Sequence, residues 1–544
     1  MGQQFIQQNS PSSPKDPKNI RLKSRSSLEA IKQKEMDSQA PARAVSSFSP
    51  VFDHTESTPG QYIEIVPGFR MTLNEADKAL NLYRSFYTSY FPFVPIPVTM
   101  TALEMDSETP FLLRTILQVT APVNHTIQKK VQTWFREHIA QHVLVEGERR
   151  LEVLQAIIVF VAWGDFQFYI EPQATDLLQL SEAIMLDLGL NRPPGSLGGA
   201  VRLSFVPEAT RKLRLGHKRE SHNLDDKRTM LGCYYINSLI ATLFRRIRCF
   251  GNTPYLTRCC EAVLEAQEYE SDQLLVSLVR MQRLLARISD SFPGPDVDET
   301  PGPFLDAPLH MVMATTRKEI DALVQSQPPE VKNNALFWIH YYGVLIRLYE
   351  PAIHMQPLLT SGNPLESTHR TEALWGCLQA AKDFFVAYTA IPLAKLGSMP
   401  LMPTTYLSFA FVTSSRILLL DDSDWSAHLA RKTFDFATAC QSLSDRLYEA
   451  DRLAQVVGGR RKFDDAGKSV LYSTCMKVQW IREWYTAKTS LADDRTNTAP
   501  TSLSTNQAMD LDQSLQESSF VPIELDQEFW QVLLDLNGTS TWSG

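Results

Sequence analysis

Apolar stretches with helical spacing dominate this sequence and most restrict the folds that it can adopt. The most apolar of them, Leu151 to Trp163, is apolar on nearly every side, as expected of a helix buried at the centre of a large core. A stripe of leucine and isoleucine over residues 177–188 stops at Gly189, and glycine commonly closes a helix in this position. The period-two alternation that is typical of half-buried strands is scarce. The sequence therefore predicts an all-α fold.

Local signals predict further helices along the middle of the chain. Thr72 and Glu75 have the spacing of a capping box, in which two side chains bond each other's backbone N–H groups at a helix start. Thr109 and Pro110 predict another helix start, because proline is favoured in the first turn. We therefore predict one large helical domain over residues 62–490. Further helical patterns cover residues 230–247, 274–288, 308–325, 333–350, 368–390, 404–420, 427–450 and 466–488.

The two ends of the chain differ in composition from this middle part. Residues 1–61 are rich in Ser, Pro, Gln and Lys and contain few large apolar groups. Such a segment cannot bury enough surface to offset the entropy lost on ordering. In residues 491–544 a polar linker precedes a segment of interleaved acidic and apolar residues, and no Lys or Arg follows Arg495. We predict a disordered N-terminal arm and a disordered acidic C-terminal tail.

The acidic-hydrophobic tail is typical of segments that activate transcription. Its acidic groups keep the aromatic side chains in solution until a short amphipathic helix docks in a groove. That groove belongs either to a transcriptional coactivator or to the chain's own helical domain. The two alternatives are compatible, because an activation helix that docks on its own domain until it is released for a coactivator is a regulatory switch. The side chains predicted to bind the partner are Phe520, Phe529, Trp530, Leu533, Leu534 and Leu536.

Charge, cysteine spacing and hydropathy argue against several classes of function. The formal net charge of -8 gives no basic surface over the whole chain for nucleic acid, and no apolar run approaches the roughly twenty residues of a membrane span. The seven cysteines lack the paired spacing of a structural zinc site, so we predict buried, reduced thiols. One basic loop is either a nuclear-import signal or a solvated insertion. It contains Arg211, Lys212, Arg214, Lys218 and Arg219.

Patterns that suggest catalysis or metal binding are weak. His138 and His142 lie four residues apart on a predicted helix and so share a face, but no third ligand is identifiable. Asp421, Asp422 and Asp424 resemble an acidic metal-binding motif without a second acidic cluster, and we interpret them as a loop and helix cap. No Walker, zincin or Gly-x-Ser-x-Gly motif is present. We therefore predict no enzymatic activity, no catalytic residues and no metal or other cofactor.

Several segments together resemble a known family. They read FPFVPIP at 91–97, PFLLRTILQVTA at 110–121, LLQLSEAIMLDLGLNR at 177–192, KRTMLGCYYINSLIATLFRR at 227–246 and WIHYYGVLIRLYEPAI at 338–353. In this order and spacing they are similar to the regulatory, or middle homology, region of fungal zinc-cluster transcription factors. The resemblance implies an all-α regulatory domain, location in the nucleus and control of transcription, plausibly of a secondary-metabolite gene cluster.

The chain departs from this family in one respect. Family members carry six cysteines N-terminal to the regulatory region, where they hold two zinc ions and shape a helix for the major groove. Residues 1–232 here contain no cysteine, so zinc is expected only if an N-terminal cluster is missing from the sequence. We therefore expect DNA contact to be weak or indirect, through a DNA-binding partner or related factor. The alternatives are a cytosolic helical scaffold and, less favoured, a helical enzyme of the terpene-synthase type.

Overall fold

The described part of the chain is almost entirely helical, which confirms the predicted all-α class. The computed structural model describes residues 62–164, 172–194, 221–244, 251, 253–292, 309–354, 364–464, 466–497 and 525–534. The arm predicted over residues 1–61 therefore lies outside the described residues, as do parts of the segment 491–544. Within the described ranges, no helix combines the length and the apolarity that crossing a membrane requires.

A short β-hairpin that the sequence did not predict precedes the first helix. Strand β1 (Tyr62–Val66) pairs antiparallel with β2 (Phe69–Thr72), and the turn between them places Gly68 at a φ of +88°. Ile63, Ile65 and Val66 are buried, whereas Tyr62 and Glu64 face solvent. The alternation is clear in the structure, but it extends over so few residues that it does not stand out in the sequence.

The capping box predicted at Thr72 is present. Thr72 Oγ1 accepts from the Glu75 N–H at 3.3 Å, and the Glu75 carboxylate accepts from the Thr72 N–H at 2.8 Å. Helix α1 (Leu73–Ser85) begins directly after this cap. A second capping box of the same kind, at Thr101 and Glu104, starts a helix that the sequence analysis missed.

The helices that follow form two sequence-contiguous groups. Those of the first group are α2 (Ala102–Glu108), α3 (Pro110–Thr120), α4 (His125–Ile139), α5 (Leu151–Ala162), α6 (Pro172–Asp187), α7 (Leu224–Phe244), α8 (Pro254–Ala266), α9 (Asp272–Ser291) and α10 (Leu309–Gln325). Those of the second are α11 (Pro329–Lys332), α12 (Ala335–Tyr349), α13 (Pro364–Thr389), α14 (Leu393–Leu396), α15 (Leu401–Leu419), α16 (Ala427–Thr433), α17 (Phe436–Val457), α18 (Val470–Asn497) and α19 (Gln527–Leu534).

One predicted helix is wrong. The pattern over residues 427–450 predicted a single helix, whereas the structure has two, α16 and α17, separated at Phe434 and Asp435. The Asp435 carboxylate accepts from the Thr438 N–H at 3.0 Å and so caps α17. Apolar spacing continues across the break, and a local cap that ends one helix and starts another is invisible to a periodicity argument.

The predicted central helix is confirmed. Helix α5 is buried along nearly its whole length, and it packs against α3, α6 and α7. Helix α6 ends as expected, with Gly189 at a φ of +75° just beyond it. The six described cysteines are all buried and none forms a disulfide, as predicted.

Helix α12 lies at the centre of the second group, against α9, α13 and α15. It buries His340 completely, with the ring between Tyr235 of α7, at 5.9 Å, and Tyr406 of α15, at 5.3 Å. Neither ring nitrogen has a hydrogen-bond partner. Burial lowers the pKa of His340 to about 3, so this imidazole is neutral at physiological pH.

We expect His340 to make the domain sensitive to acid. Its pKa is about 3 in the folded state and about 6.5 unfolded, so below about pH 6.5 the unfolded state binds the extra proton. The free energy of unfolding should therefore fall by about 2 kcal/mol on this account between about pH 7 and about pH 5. Chemical denaturation at both pH values measures this change in the free energy of unfolding. His340→Leu should lose less stability over the same interval than the wild type, and equal losses would contradict the assignment.

Candidate partner-binding site

The tail contains a short helix that packs on the helical domain. Asp526 caps helix α19, since its Oδ1 atom accepts from the Phe529 N–H at 3.0 Å. One face of this helix packs against α18, and the opposite face lies toward solvent. Residues 498–524, which connect α18 to this segment, lie outside the described residues.

An aromatic surface on α18 receives the inner face of the tail helix. Phe529 is fully buried there, and its ring centre lies 4.7 Å from that of Trp484. Trp484 is in turn stacked with Trp480 one turn earlier in α18. Leu525 and Leu533 are also buried. We call the surface of α18 around Trp480, Trp484 and Lys488 the tail groove.

Polar contacts fix the start of the tail helix in the tail groove. Trp484 Nε1 donates to the Asp526 carboxylate at 3.0 Å, and Lys488 Nζ lies 2.9 Å from the same carboxylate. Burial alone would raise the pKa of Asp526, but the hydrogen bonds from Trp484 and Lys488 outweigh it and hold that pKa below its ordinary value. The carboxylate is therefore ionised at neutral pH and pairs with the ammonium group.

The outer face of the tail helix remains accessible. Leu534 is 41% exposed, and Trp530 is half-buried with the Arg416 guanidinium 5.8 Å from its ring centre. Of the side chains predicted to bind a partner, Phe529 and Leu533 thus face the domain, whereas Trp530 and Leu534 lie toward solvent. Phe520 and Leu536 lie outside the described residues, so the prediction for them stays untested.

The predicted import signal also falls outside the described ranges. Its members are Arg211, Lys212, Arg214, Lys218 and Arg219, within the gap 195–220. The nuclear-import interpretation of this loop stays a prediction.

His138 and His142 share a helix face, as their spacing predicted, with ring centres 4.2 Å apart. The chain continues from α4 into a π-helical turn, Ala140–Val145, and this wider turn brings acidic neighbours that the sequence analysis did not identify. His142 Nδ1 lies 2.8 Å from the Glu146 carboxylate and 3.8 Å from that of Glu148. His138 instead stacks on Phe111, and burial lowers its pKa to about 4. A hydrogen bond at the surface accounts for the contact between His142 and Glu146.

The acidic run at Asp422 and Asp424 has a structural partner that sequence reasoning missed. Both carboxylates bind the guanidinium of Arg370 on α13, whose side chain is almost completely buried and also donates to the Ala352 carbonyl at 3.1 Å. The two aspartates neutralise a buried cation, which is the role that the loop interpretation left unspecified.

Comparison with known proteins identifies the helical domain. Residues 52–405 match the family model described as the WAR1 C-terminal domain. The chain belongs to this family. The match covers α1 to α14 and ends inside α15, so the tail groove and the tail helix lie beyond it. No solved structure matches the chain.

Curated relatives of the chain are named as regulators of transcription. It is 26% identical over 382 residues to "Transcription factor opdL" of Penicillium oxalicum, covering 68% of this chain and 64% of the relative. It is 25% identical over 342 residues to "Transcription factor himD" of Aspergillus japonicus, covering 63% and 55%. For "Transcriptional regulator WAR1" of Candida albicans the identity is 22% over 298 residues, covering 54% and 30%.

These relatives confirm the resemblance to the regulatory region of fungal transcription factors. The chain spans between about a third and two thirds of the length of the relatives it matches.

Proposed function

We propose that this chain is a transcriptional regulator acting in the nucleus, with the helical domain as its regulatory part and the tail helix as its activating part. Membership of the WAR1 C-terminal domain family and the names of the curated relatives support the regulatory role. Enzymatic activity is not part of this proposal, since the sequence has no catalytic motif and the Asp422–Asp424 carboxylates are engaged by Arg370.

The observation that carries the activating role is the complete burial of Phe529 against Trp484. A coactivator groove would need the same aromatic and leucine side chains that the tail groove already holds. Docking on the domain and binding of a coactivator therefore compete for one helix face. A chain with the helix docked is silent, and a chain with the helix released recruits coactivator.

We propose that these 544 residues contact DNA only weakly or through a partner. Their net charge of -8 disfavours a general affinity for nucleic acid, and residues 1–232 contain no cysteine that could hold zinc. A related factor with its own DNA-binding domain would place this chain at promoters. We propose secondary-metabolite genes as the targets, on the strength of the family resemblance.

A reporter assay tests the competition. The full chain is fused to a heterologous DNA-binding domain, and Trp484→Ala is introduced to remove the tail groove without changing the tail. Every 1.4 kcal/mol lost from docking moves the docked-to-released ratio about tenfold, and a buried aromatic contact exceeds that. We expect reporter output to rise several-fold. Phe529→Ala should lower it, because it removes the side chain that both grooves need.

Lys488→Gln is the milder companion variant, because Lys488 is partly exposed and its loss does not disturb the core. It should raise the output in the same direction by a smaller factor. Trp484→Ala combined with Phe529→Ala should show no rise. Unchanged output in Trp484→Ala, Lys488→Gln and Phe529→Ala, at equal protein levels, would reject the role of the tail helix.

A further inference from the structure

A small cavity lies where the N-terminal helices meet the loop after α17. Valines of α3 and α4 and Phe160 of α5 supply its apolar walls, and Arg460 and Lys462 of the loop supply cationic ones. Gln118 and Gln132 add amide groups. Its volume is about 50 Å³. At about 10–15 Å³ for each water molecule, the cavity has room for roughly four non-hydrogen atoms.

Arg460 is the unusual member of this lining. Its Nη1 atom is enclosed and has no hydrogen-bond partner. Tyr87 is the polar neighbour of the guanidinium, but the Tyr87 hydroxyl makes no hydrogen bond of good geometry. Among the described residues, no carboxylate forms an ion pair with Arg460. Arg460 as a whole is only partly buried, but enclosing one of its guanidinium nitrogens without a partner still costs free energy, so this arrangement calls for an explanation.

The two neighbouring cations and the Gln128 amide are already engaged. The Arg461 guanidinium binds the Asp451 carboxylate at 3.1 Å, and Lys462 Nζ donates to the Gly164 carbonyl at 3.3 Å. The Gln128 side chain donates to the Phe463 carbonyl at 2.7 Å and accepts from the Phe463 N–H at 3.0 Å. These contacts hold the walls in place, so Arg460 is the cation of the lining that is available to a ligand.

We propose that this cavity binds one small planar oxyanion, a short carboxylate or bicarbonate, through Arg460. A guanidinium matches the paired oxygens of such an anion, and the valine and phenylalanine walls accommodate its remaining atoms. The site is too small for a phosphorylated metabolite or a peptide side chain with its backbone. Chloride offers neither the paired oxygens nor the planar shape.

Anion binding here would join distant parts of the chain. The walls on α3, α4 and α5 lie about three hundred residues or more before the loop that carries Arg460. That loop leads into α18, which bears the tail groove. A ligand that binds only the assembled cavity stabilises the junction by mass action. The inference does not depend on the proposed function of the tail.

The test uses the full chain after exhaustive dialysis into a buffer without oxyanions other than the buffer itself. Sodium acetate and sodium bicarbonate are titrated in separate series, with sodium chloride at matched ionic strength as the reference. We expect a saturable rise in Tm over chloride, and calorimetric binding of one anion for each chain. The series with the tighter binding identifies which of the two anions the site prefers.

Arg460→Met removes the charge and keeps the length of the side chain, and it should weaken binding by about tenfold or more. Arg452→Gln is the matched control, because Arg452 is an exposed arginine near the end of α17, the helix that precedes this loop. It should leave binding unchanged. The proposal is overturned if the Tm shift persists in Arg460→Met, or if neither anion binds the wild-type chain more tightly than chloride does.

Discussion

Replacing Arg228 with methionine should lower the free energy of unfolding by about 3–5 kcal/mol, the usual cost of breaking a buried ion pair on one side. Arg228 of α7 and Asp272 of α9 are both fully buried, and they form a bidentate pair with distances of 2.9 Å. Glu268 adds a third contact at 2.9 Å. Burial opposes the charge on Arg228, but the bonds to Asp272 and Glu268 raise its pKa above the ordinary value.

The loss arises mainly from the Asp272 carboxylate that is left behind without its cation. Combining Arg228→Met with Asp272→Asn should therefore recover most of the stability, because the amide oxygen still accepts from the Tyr269 N–H that Asp272 binds. Chemical denaturation measures the free energy of unfolding of both variants against the wild type. Arg287→Met is the exposed control, since the Arg287–Glu319 pair is about half exposed on both sides, and it should lose less than about 1 kcal/mol. A similar loss at Arg287 and Arg228 would refute the account.

Gly343→Ala should destabilise the domain by about 1–3 kcal/mol, even though alanine normally favours a helix over glycine. A Cβ atom on Gly343 would lie 2.3 Å from Cδ1 of the buried Tyr406 ring. That distance is far inside van der Waals contact, and both α12 and α15 are enclosed by other helices. The ring has no room to withdraw, so the helices must separate.

A double-mutant cycle isolates this clash. In a Tyr406→Leu background the added methyl group meets a smaller side chain, so Gly343→Ala should cost less there than in the wild type. Gly251→Ala is the control, because its Cβ meets no atom within 4 Å. Thermal unfolding of the four proteins of the cycle, the wild type included, gives the coupling energy. A value near zero would show that Tyr406 does not set the requirement for glycine.

The sequence predicted the helices well because their signals are local. A capping box at Thr72 and a glycine at 189 depend on the residues beside them, and both are present as expected. The hairpin and the break at Asp435 were missed since each occupies only a few residues.

The acidic tail shows what the sequence predicts and what only the tertiary structure shows. Its composition identified an amphipathic, acidic segment, and the segment does contain a helix. Composition left open whether the apolar face meets another protein or the chain's own domain. Only the folded chain shows Phe529 against Trp484 and Asp526 against Lys488.

By itself, then, the sequence determined the fold class, several helix starts and the family, which rest on local spacing and on the order of segments. Tertiary structure decided which charges are paired and which glycine is indispensable. Arg228 pairs with Asp272, and Arg370 pairs with Asp422 and Asp424. Arg460 forms no ion pair with a described carboxylate. These contacts join residues far apart in the chain, and their energies depend on burial, which helix packing alone determines.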